Sequence, residues 1–265
     1  MARGRVRLKD KIILVTGSAT GIGEGMARRF VSEGALVMFH DKREDAIAAL
    51  VSELGENSAY VAGDLEAPDV PARIIKQTVA HFGRLDALVN NAAVMTRGGI
   101  EDTDQETFDR TIAVNLKAPF FLIRSVLPHF RNQGGGRILN IGSVNAYCGE
   151  RSMCIYSACK GALMTLTRNL ADAHAAEGVR VNQINVGWTL TPNERALKAK
   201  EGLPEDWPSR LPVAFAPAGQ LLSPDDIAAA AVYFLSDESR LVNGAVLDLE
   251  QYPMIGRNPA KEMGL

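Results

Sequence analysis

Apolar positions fall into two periods along this chain, and the periods alternate. "KIILVTG" is a short continuous apolar run of the kind a buried strand needs, and "GIGEGMARRFVSEG" behind it reads as a helix. The pair then repeats. "ALVMFHD" reads as a strand, "REDAIAALVSELG" as a helix and "SAYVAGD" as a third strand. A helix near 69–82 leads to the strand "LDALVNNAA", and a long helix over about 104–131 gives way to "GRILNIGS". The next helix runs through Tyr156 to about Glu177 and is followed by the strand "VRVNQIN". "SPDDIAAAAVYFLSD" is a helix with Ser223 as its N-cap and Pro224 at its first position, and "AVLDLE" is the last strand. Such alternation implies parallel βαβ units: an α/β, doubly wound sheet with helices on both faces. No repeat, low-complexity tract or linker divides residues 1–265, so a single domain is expected. One segment breaks the rhythm. Trp188 to Leu222 (about 188–222) holds four prolines after Pro192, together with Trp207, and little periodicity; it reads as a substrate lid.

Composition narrows the setting. The 29 basic and 31 acidic residues nearly balance, which gives no reason to expect a nucleic-acid partner. No apolar stretch approaches the roughly 18 residues of a membrane helix. The start, "MARGRVRLKDK", has no apolar run after its charges and does not read as a secretory signal. Cys148, Cys154 and Cys159 are odd in number and cluster together, which fits reduced thiols and a cytoplasmic location better than a disulfide framework. His40, His81, His129 and His174 are scattered without ligand spacing, so no metal site is expected.

Candidate chemistry begins at "VTGSATGIGEG", between the first strand and the first helix. Gly17, Gly21 and Gly23 let the backbone turn tightly and approach a pyrophosphate, and the helix N-terminus behind them favours negative charge. The strand–loop–helix setting makes this a dinucleotide site rather than an ordinary glycine turn. The second strand ends in Asp41. An acid there accepts hydrogen bonds from the adenosine ribose and repels a 2′-phosphate, which selects NAD over NADP. Thr20 supplies no charge for a 2′-phosphate. Lys42 and Arg43 follow directly; they could pair with such a phosphate or start a solvated helix.

In "IYSACKGALMTL", Tyr156 and Lys160 stand four residues apart on one helix face, among Ala158, Cys159, Gly161, Ala162 and Leu163, which read as buried. A buried phenol and a buried ammonium both need partners. Ser143 closes the preceding strand, where ligands of open α/β sheets sit. A nearby ammonium favours the phenolate and lowers the tyrosine pKa; a shift of about three units needs roughly 4 kcal/mol, which a lysine and a bound nicotinamide cation in a partly dry site could supply. A tyrosine so tuned is a general acid/base, and the serine hydroxyl can hold the substrate oxygen where charge develops. In the long helix, Pro119 has no N–H for the carbonyl of Asn115, which leaves that carbonyl for a water.

The ordered set Thr16-Gly17-x-x-x-Gly21-Ile22-Gly23, Asp64, Asn90-Asn91-Ala92-Ala93, Asn115, Ser143 and Tyr156-x-x-x-Lys160 resembles the short-chain dehydrogenase/reductase family over about residues 8–250. The resemblance implies a Rossmann-like sheet of about seven strands and hydride transfer between a nicotinamide and an alcohol/ketone pair. It implies Tyr156 as acid/base, Ser143 as orienter of the substrate oxygen, and Lys160 as the holder of the nicotinamide ribose. Asn115 would anchor a relay water, Asp64 and Leu65 would contact adenine, and Asn91 would line the cofactor floor. It also implies a homotetramer, through the helices carrying Asn115 and Tyr156.

Three positions depart from the family pattern. Val186 replaces a proline in "INVGWTLTP", although Thr189 and Thr191 can still reach the nicotinamide amide. Gly142 precedes Ser143 where a serine is usual. The last strand ends "DLEQYP" rather than in Asp-Gly-Gly, so the tail over 251–265 either folds over a site or lies on the surface. Arg97, Asn145, Arg151, Trp188 and Asn193 are candidates to face the substrate. Their polarity favours a sugar, polyol or hydroxy acid. Two other readings stand beside this one: an NADPH-dependent ketone or 3-oxoacyl reductase, which Asp41 and Thr20 oppose, and a non-catalytic NAD(H) sensor, which would not need the acid/base set.

Overall fold

The structure is a computed structural model and describes residues 6–253, with the Cys148 side chain left undescribed. The chain opens on β1 (Ile12–Thr16), α1 (Gly21–Ser32), β2 (Leu36–Asp41), α2 (Glu44–Leu54), β3 (Ser58–Ala62), α3 (Val70–Phe82) and β4 (Ala87–Asn90). It continues through α4 (Gln105–Ile112), α5 (Ala118–Asn132), β5 (Gly136–Ser143), α6 (Asn145–Cys148), α7 (Cys154–Ala173) and β6 (Val179–Val186). It closes with α8 (Pro192–Lys200), α9 (Pro224–Leu235) and β7 (Val246–Leu249).

All seven strands join one parallel sheet in the order β3-β2-β1-β4-β5-β6-β7. Alternate side chains of each strand enter opposite cores. Ile13 and Val15 of β1 pack with α1, α2 and α9 through Phe30, Ile47 and Ile227. Ile12 and Leu14 pack with α3 and α5 through Ile74, Leu122 and Phe130. Strands buried on both faces read as continuous apolar runs, which is why they were legible. The order reverses between β1 and β4, so the carboxyl ends of these strands open a crevice there.

The long helix differs from its expectation. It starts at Gln105, with the Asp104 carboxylate accepting from the Thr107 N–H at 2.8 Å. A π turn over Ala113–Lys117 then interrupts it, and the Ala118 N–H reaches the Ala113 carbonyl. Pro119 lies just beyond that turn. An imino nitrogen cannot continue the regular ladder, and one wider turn absorbs the mismatch. The Tyr156 helix stops at Ala173, ahead of a short 3-10 turn at Ala175–Glu177.

The lid segment is more ordered than its composition implied. It contains α8, which starts at Pro192 with the Thr191 hydroxyl accepting from the Glu194 N–H. It also contains the turn Trp207–Arg210. None of the α8 residues is buried, so no apolar stripe advertised the helix; the Thr-Pro-x-Glu start was its one signal. Trp188 stacks on Trp207 with ring centres 5.6 Å apart, and Leu221 and Ala216 pack around them as a small core under the lid. Of the tail, only 251–253 fall within the described residues.

Candidate active site

A cavity of about 700 Å³ occupies the crevice at the carboxyl ends of the strands. Gly17, Thr20, Gly21, Ile22 and Gly23 line it at the start of α1. Gly17 and Gly21 adopt left-handed φ angles of 64° and 60°, which a glycine takes without strain. A Cβ on Gly17 would lie 2.7 Å from the Ala92 Cα, and one on Gly23 would lie 2.2 Å from the Gly17 carbonyl oxygen. The loop is therefore closed tightly on the end of β4. Thr20, the N-cap of α1, makes no capping bond with its side chain. The first N–H groups of α1 thus face the cavity beside bare backbone, which suits a pyrophosphate.

Asn91 lines the cavity as expected and also braces this loop. Its Nδ2 donates to the carbonyls of Thr16 at 2.9 Å and Gly17 at 3.0 Å. The Thr16 hydroxyl accepts from the N–H groups of Asn91 and Ala92.

At the far end of the cavity stand Asp41, Asp64 and Leu65. The Asp41 carboxylate accepts from the Ala19 N–H at 3.3 Å and from the Arg43 N–H at 3.1 Å. Burial opposes its charge, yet the Arg43 backbone N–H and guanidinium outweigh it and hold the carboxyl below its usual range. Lys42 lies 3.6 Å from Asp64. Both cations beside Asp41 are thus already paired with carboxylates. His40 also lines this end; burial drops its pKa to about 4, so the ring is neutral, and Nε2 lies 3.0 Å from the Gly63 carbonyl.

At the other end are Ser143, Tyr156 and Lys160, all buried; the Ser143 hydroxyl accepts from the Asn145 N–H at 3.2 Å and favours the Tyr156 phenolate. Lys160 donates to the Ile141 carbonyl at 2.7 Å, and its Nζ lies 5.5 Å from the Tyr156 ring centre. This overturns one expectation for the protein alone. Burial pushes the phenol up to about 12, only partly offset by Ser143, and pushes the lysine down to about 8. The cause is the dry setting, which penalises either charge, and the ammonium is turned toward the Ile141 carbonyl rather than the phenol oxygen. The neighbours of the pair differ as well. Cys159 and Leu163 are buried, Gly161 and Ala162 partly so, but Ala158 is exposed on the outer face of α7.

Asn115 is buried in the π turn but does not line the cavity. Its amide is committed to Val94, donating to the carbonyl and accepting from the N–H, each at 2.8 Å. It therefore fixes the cavity wall from behind. Asn145, Trp188, Asn193 and Arg97 do line the substrate end. Arg151 does not: it is exposed, and only its carbonyl approaches Gly99, because the chain turns outward before α7. Thr189 and Thr191 both line the cavity. The Thr191 hydroxyl is engaged as the cap of α8, and the Thr189 hydroxyl donates to the Gly187 carbonyl at 3.1 Å.

Sequence reasoning missed Glu150, Glu194, Lys198 and Glu250 as lining residues. Glu250 replaces what the proline at 186 would have supplied. Its carboxylate accepts from the Trp188 N–H at 3.2 Å, and the Gly187 N–H donates to the Leu249 carbonyl, so hydrogen bonds pin the loop after β6. The departure from Asp-Gly-Gly was its visible signal.

With this geometry in place, the comparisons agree. A family model described as enoyl-(acyl carrier protein) reductase matches residues 17–250. D-beta-hydroxybutyrate dehydrogenase of Cupriavidus necator is 32% identical over 251 residues, covering 92% of this chain and 97% of that protein. The crystal structure of a 3-ketoacyl-(acyl-carrier-protein) reductase from Brucella melitensis, complexed with NADH, superposes with a TM-score of 0.81 at 30% identity, covering 91% of this chain and 97% of that one. A candidate NAD(P)-dependent gluconate 5-dehydrogenase from Beutenbergia cavernae, with NADP bound at low occupancy, gives 0.83 at 31%, covering 93% and 98%. The chain belongs to the short-chain dehydrogenase/reductase family. It is an NAD(P)-dependent oxidoreductase of alcohol/ketone-type substrates. No helix among the described residues is long and apolar enough to cross a membrane.

Proposed function

We propose that this enzyme uses NAD to interconvert a secondary alcohol and a ketone, with a sugar, polyol or hydroxy acid as substrate. The observation that carries this reading is the pairing of two ends in one cavity: buried Ser143, Tyr156 and Lys160 at one, ionised Asp41 at the other. Asp41 favours NAD because its charge opposes a 2′-phosphate. Arg43 and Lys42, which could have offset it, are paired with Asp41 and Asp64.

The glycine loop with Ile22 and the N-terminus of α1 would hold the pyrophosphate, and Asp41 would accept from the adenosine ribose. Asp64 and Leu65 would contact the adenine, and Thr189 and Thr191 the nicotinamide amide. When bound, the nicotinamide supplies the hydride acceptor or donor. Ser143 orients the substrate oxygen, and Asn145 lines the same wall. In reduction, Tyr156 gives its proton to that oxygen as the carbonyl becomes a carbinol; in oxidation, its phenolate takes the proton back. Lys160 would hold the ribose hydroxyls, with its ammonium already anchored on the Ile141 carbonyl. Asn115 leaves its carbonyl, which Pro119 cannot reach with an N–H, for a water in the proton relay. Four copies assemble through α5 and α7; exposed Phe108 and Phe120 lie on the same helical run as Asn115.

The test is nicotinamide absorbance with NAD and NADP separately, against a panel of sugars, polyols, hydroxy acids and secondary alcohols. Tyr156→Phe should lose about 10²–10⁴-fold in turnover and keep cofactor binding. Asp41→Ser should release Arg43 and shift the NADP:NAD preference by about tenfold or more toward NADP. Turnover that survives in Tyr156→Phe, or a wild type that prefers NADP, refutes the corresponding half of the proposal.

A further inference from the structure

Two cations from distant parts of the chain line the substrate end. Arg97 is on the segment after β4. The Gly98 N–H donates to the Ser152 carbonyl at 2.7 Å, and the Cys154 N–H donates to the Gly98 carbonyl at 3.2 Å. These bonds fix the Arg97 backbone against the start of α7, the helix that carries Tyr156. Lys198 comes from α8 in the lid, with its side chain 14% exposed and its Nζ 5.8 Å from the Trp188 ring centre.

Both cations share one carboxylate. Glu201, just past α8, lies 2.7 Å from the Lys198 Nζ and 3.6 Å from Arg97 Nη2. The second separation is too long for a hydrogen bond. Among the described residues Arg97 otherwise donates to the Ser152 hydroxyl, at 3.3 Å, and with its side chain 44% exposed it keeps further N–H donors to offer. Glu201 is exposed, does not line the cavity, and sits at a helix C-terminus, where the dipole disfavours an anion.

The acids of this end are differently placed. Glu150 accepts from the N–H and hydroxyl of Ser152, Glu194 accepts from the Trp188 indole, and Glu250 accepts from the N–H groups of Trp188 and Gln251. Their oxygens are turned toward donors of the chain, whereas the cations keep N–H groups to offer.

We propose that the substrate carries a carboxylate remote from its carbinol, and that Arg97 and Lys198 bind it, displacing Glu201. The inference rests on the alcohol/ketone reading above and narrows its substrate class to hydroxy acids and their oxo acids. Arg97 and Lys198 are then specificity residues, and Glu201 is an internal competitor for their charge.

The experiment uses the NAD-loaded enzyme with hydroxy acids of four to six carbons, gluconate among them, each paired with its methyl ester. The acid should exceed its ester in kcat/KM by about tenfold or more. Arg97→Gln and Lys198→Met should each lower that acid-to-ester ratio about tenfold, mainly through KM. Glu201→Gln should raise it, because the competing carboxylate is gone. A simple latch between lid and wall predicts otherwise: Arg97→Gln and Glu201→Gln would then move acid and ester alike, in the same direction. That pattern, or esters used as well as acids, overturns the proposal and leaves the alcohol reading intact. Turnover persisting in Tyr156→Phe overturns the reading beneath it instead. If no acid or ester in the series is turned over, calorimetric titration of the acids into NADH-loaded enzyme decides. Binding that weakens in Arg97→Gln upholds the proposal, and no binding up to about 10 mM overturns it.

Discussion

Tyr156 and Lys160 are perturbed in opposite directions by one cause. Each loses water, so the phenol keeps its proton to about pH 12 and the ammonium gives its proton up near 8. The resting pair at neutral pH is therefore a neutral phenol beside a charged amine, which is the form that donates a proton to a ketone. As pH rises, Lys160 loses charge first. We expect kcat/KM for ketone reduction to stay level below pH about 8 and to fall above it, as read from a pH profile over 6–10. Alcohol oxidation, which needs the phenolate, should instead rise with pH. A reduction profile that is flat through 9 would remove Lys160 from the step. The identity and helical spacing of this pair were plain in the sequence. The sign of the tyrosine shift was not, because it depends on how completely the fold excludes water and on where the ammonium points.

Among the elements, the π turn in the helix that carries Asn115 shows how a local irregularity serves the site. The wider turn at Ala113–Lys117 lies just ahead of Pro119, and the Asn115 amide clamps both polar groups of Val94. Asn115→Ala would leave a partly buried N–H and C=O unpaired, at a cost of roughly 1–3 kcal/mol. We expect that loss in urea unfolding, together with faster hydrogen exchange over residues 94–98. Unchanged exchange there would mean that the wall holds itself. Proline at 119 made the break visible in the sequence, but not its form. Whether a helix answers a missing N–H by kinking, ending or widening is settled by what packs around it. Helix α8 shows the converse: its Thr191 cap and Pro192 were legible, but with no buried face it lacked the apolar stripe on which a helix assignment chiefly rests.

Across the whole molecule, residues 250–252, just past β7, are tied to the lid. Gln251 accepts from the Ala218 N–H at 3.0 Å and donates to the Gln220 carbonyl at 2.7 Å, while the Tyr252 hydroxyl donates to the Val213 carbonyl. Glu250 holds Trp188, which stacks on Trp207. Residues 250–252 thus brace the lid from the sheet. The double variant Gln251→Ala/Tyr252→Phe should speed hydrogen exchange over residues 211–222 and raise KM. The thermal midpoint should move by no more than about 2–4 °C, since the sheet and both cores are untouched. An unaltered lid would show that the stacked tryptophans suffice alone.

Read by itself, the sequence determined the layered fold, the glycine loop, the acid closing β2 and the Ser143–Tyr156–Lys160 set. Each is written in short-range terms: a period, a spacing, a residue type at a strand end. Tertiary structure decided the rest. It placed Glu150, Lys198 and Glu250 around one cavity, although long stretches of chain separate them. It put Arg151 outside, turned Ala158 to the surface and, in the protein alone, let burial push the Tyr156 phenol up. Burial and charge pairing depend on every element that closes over a group, and no window of the sequence contains them all.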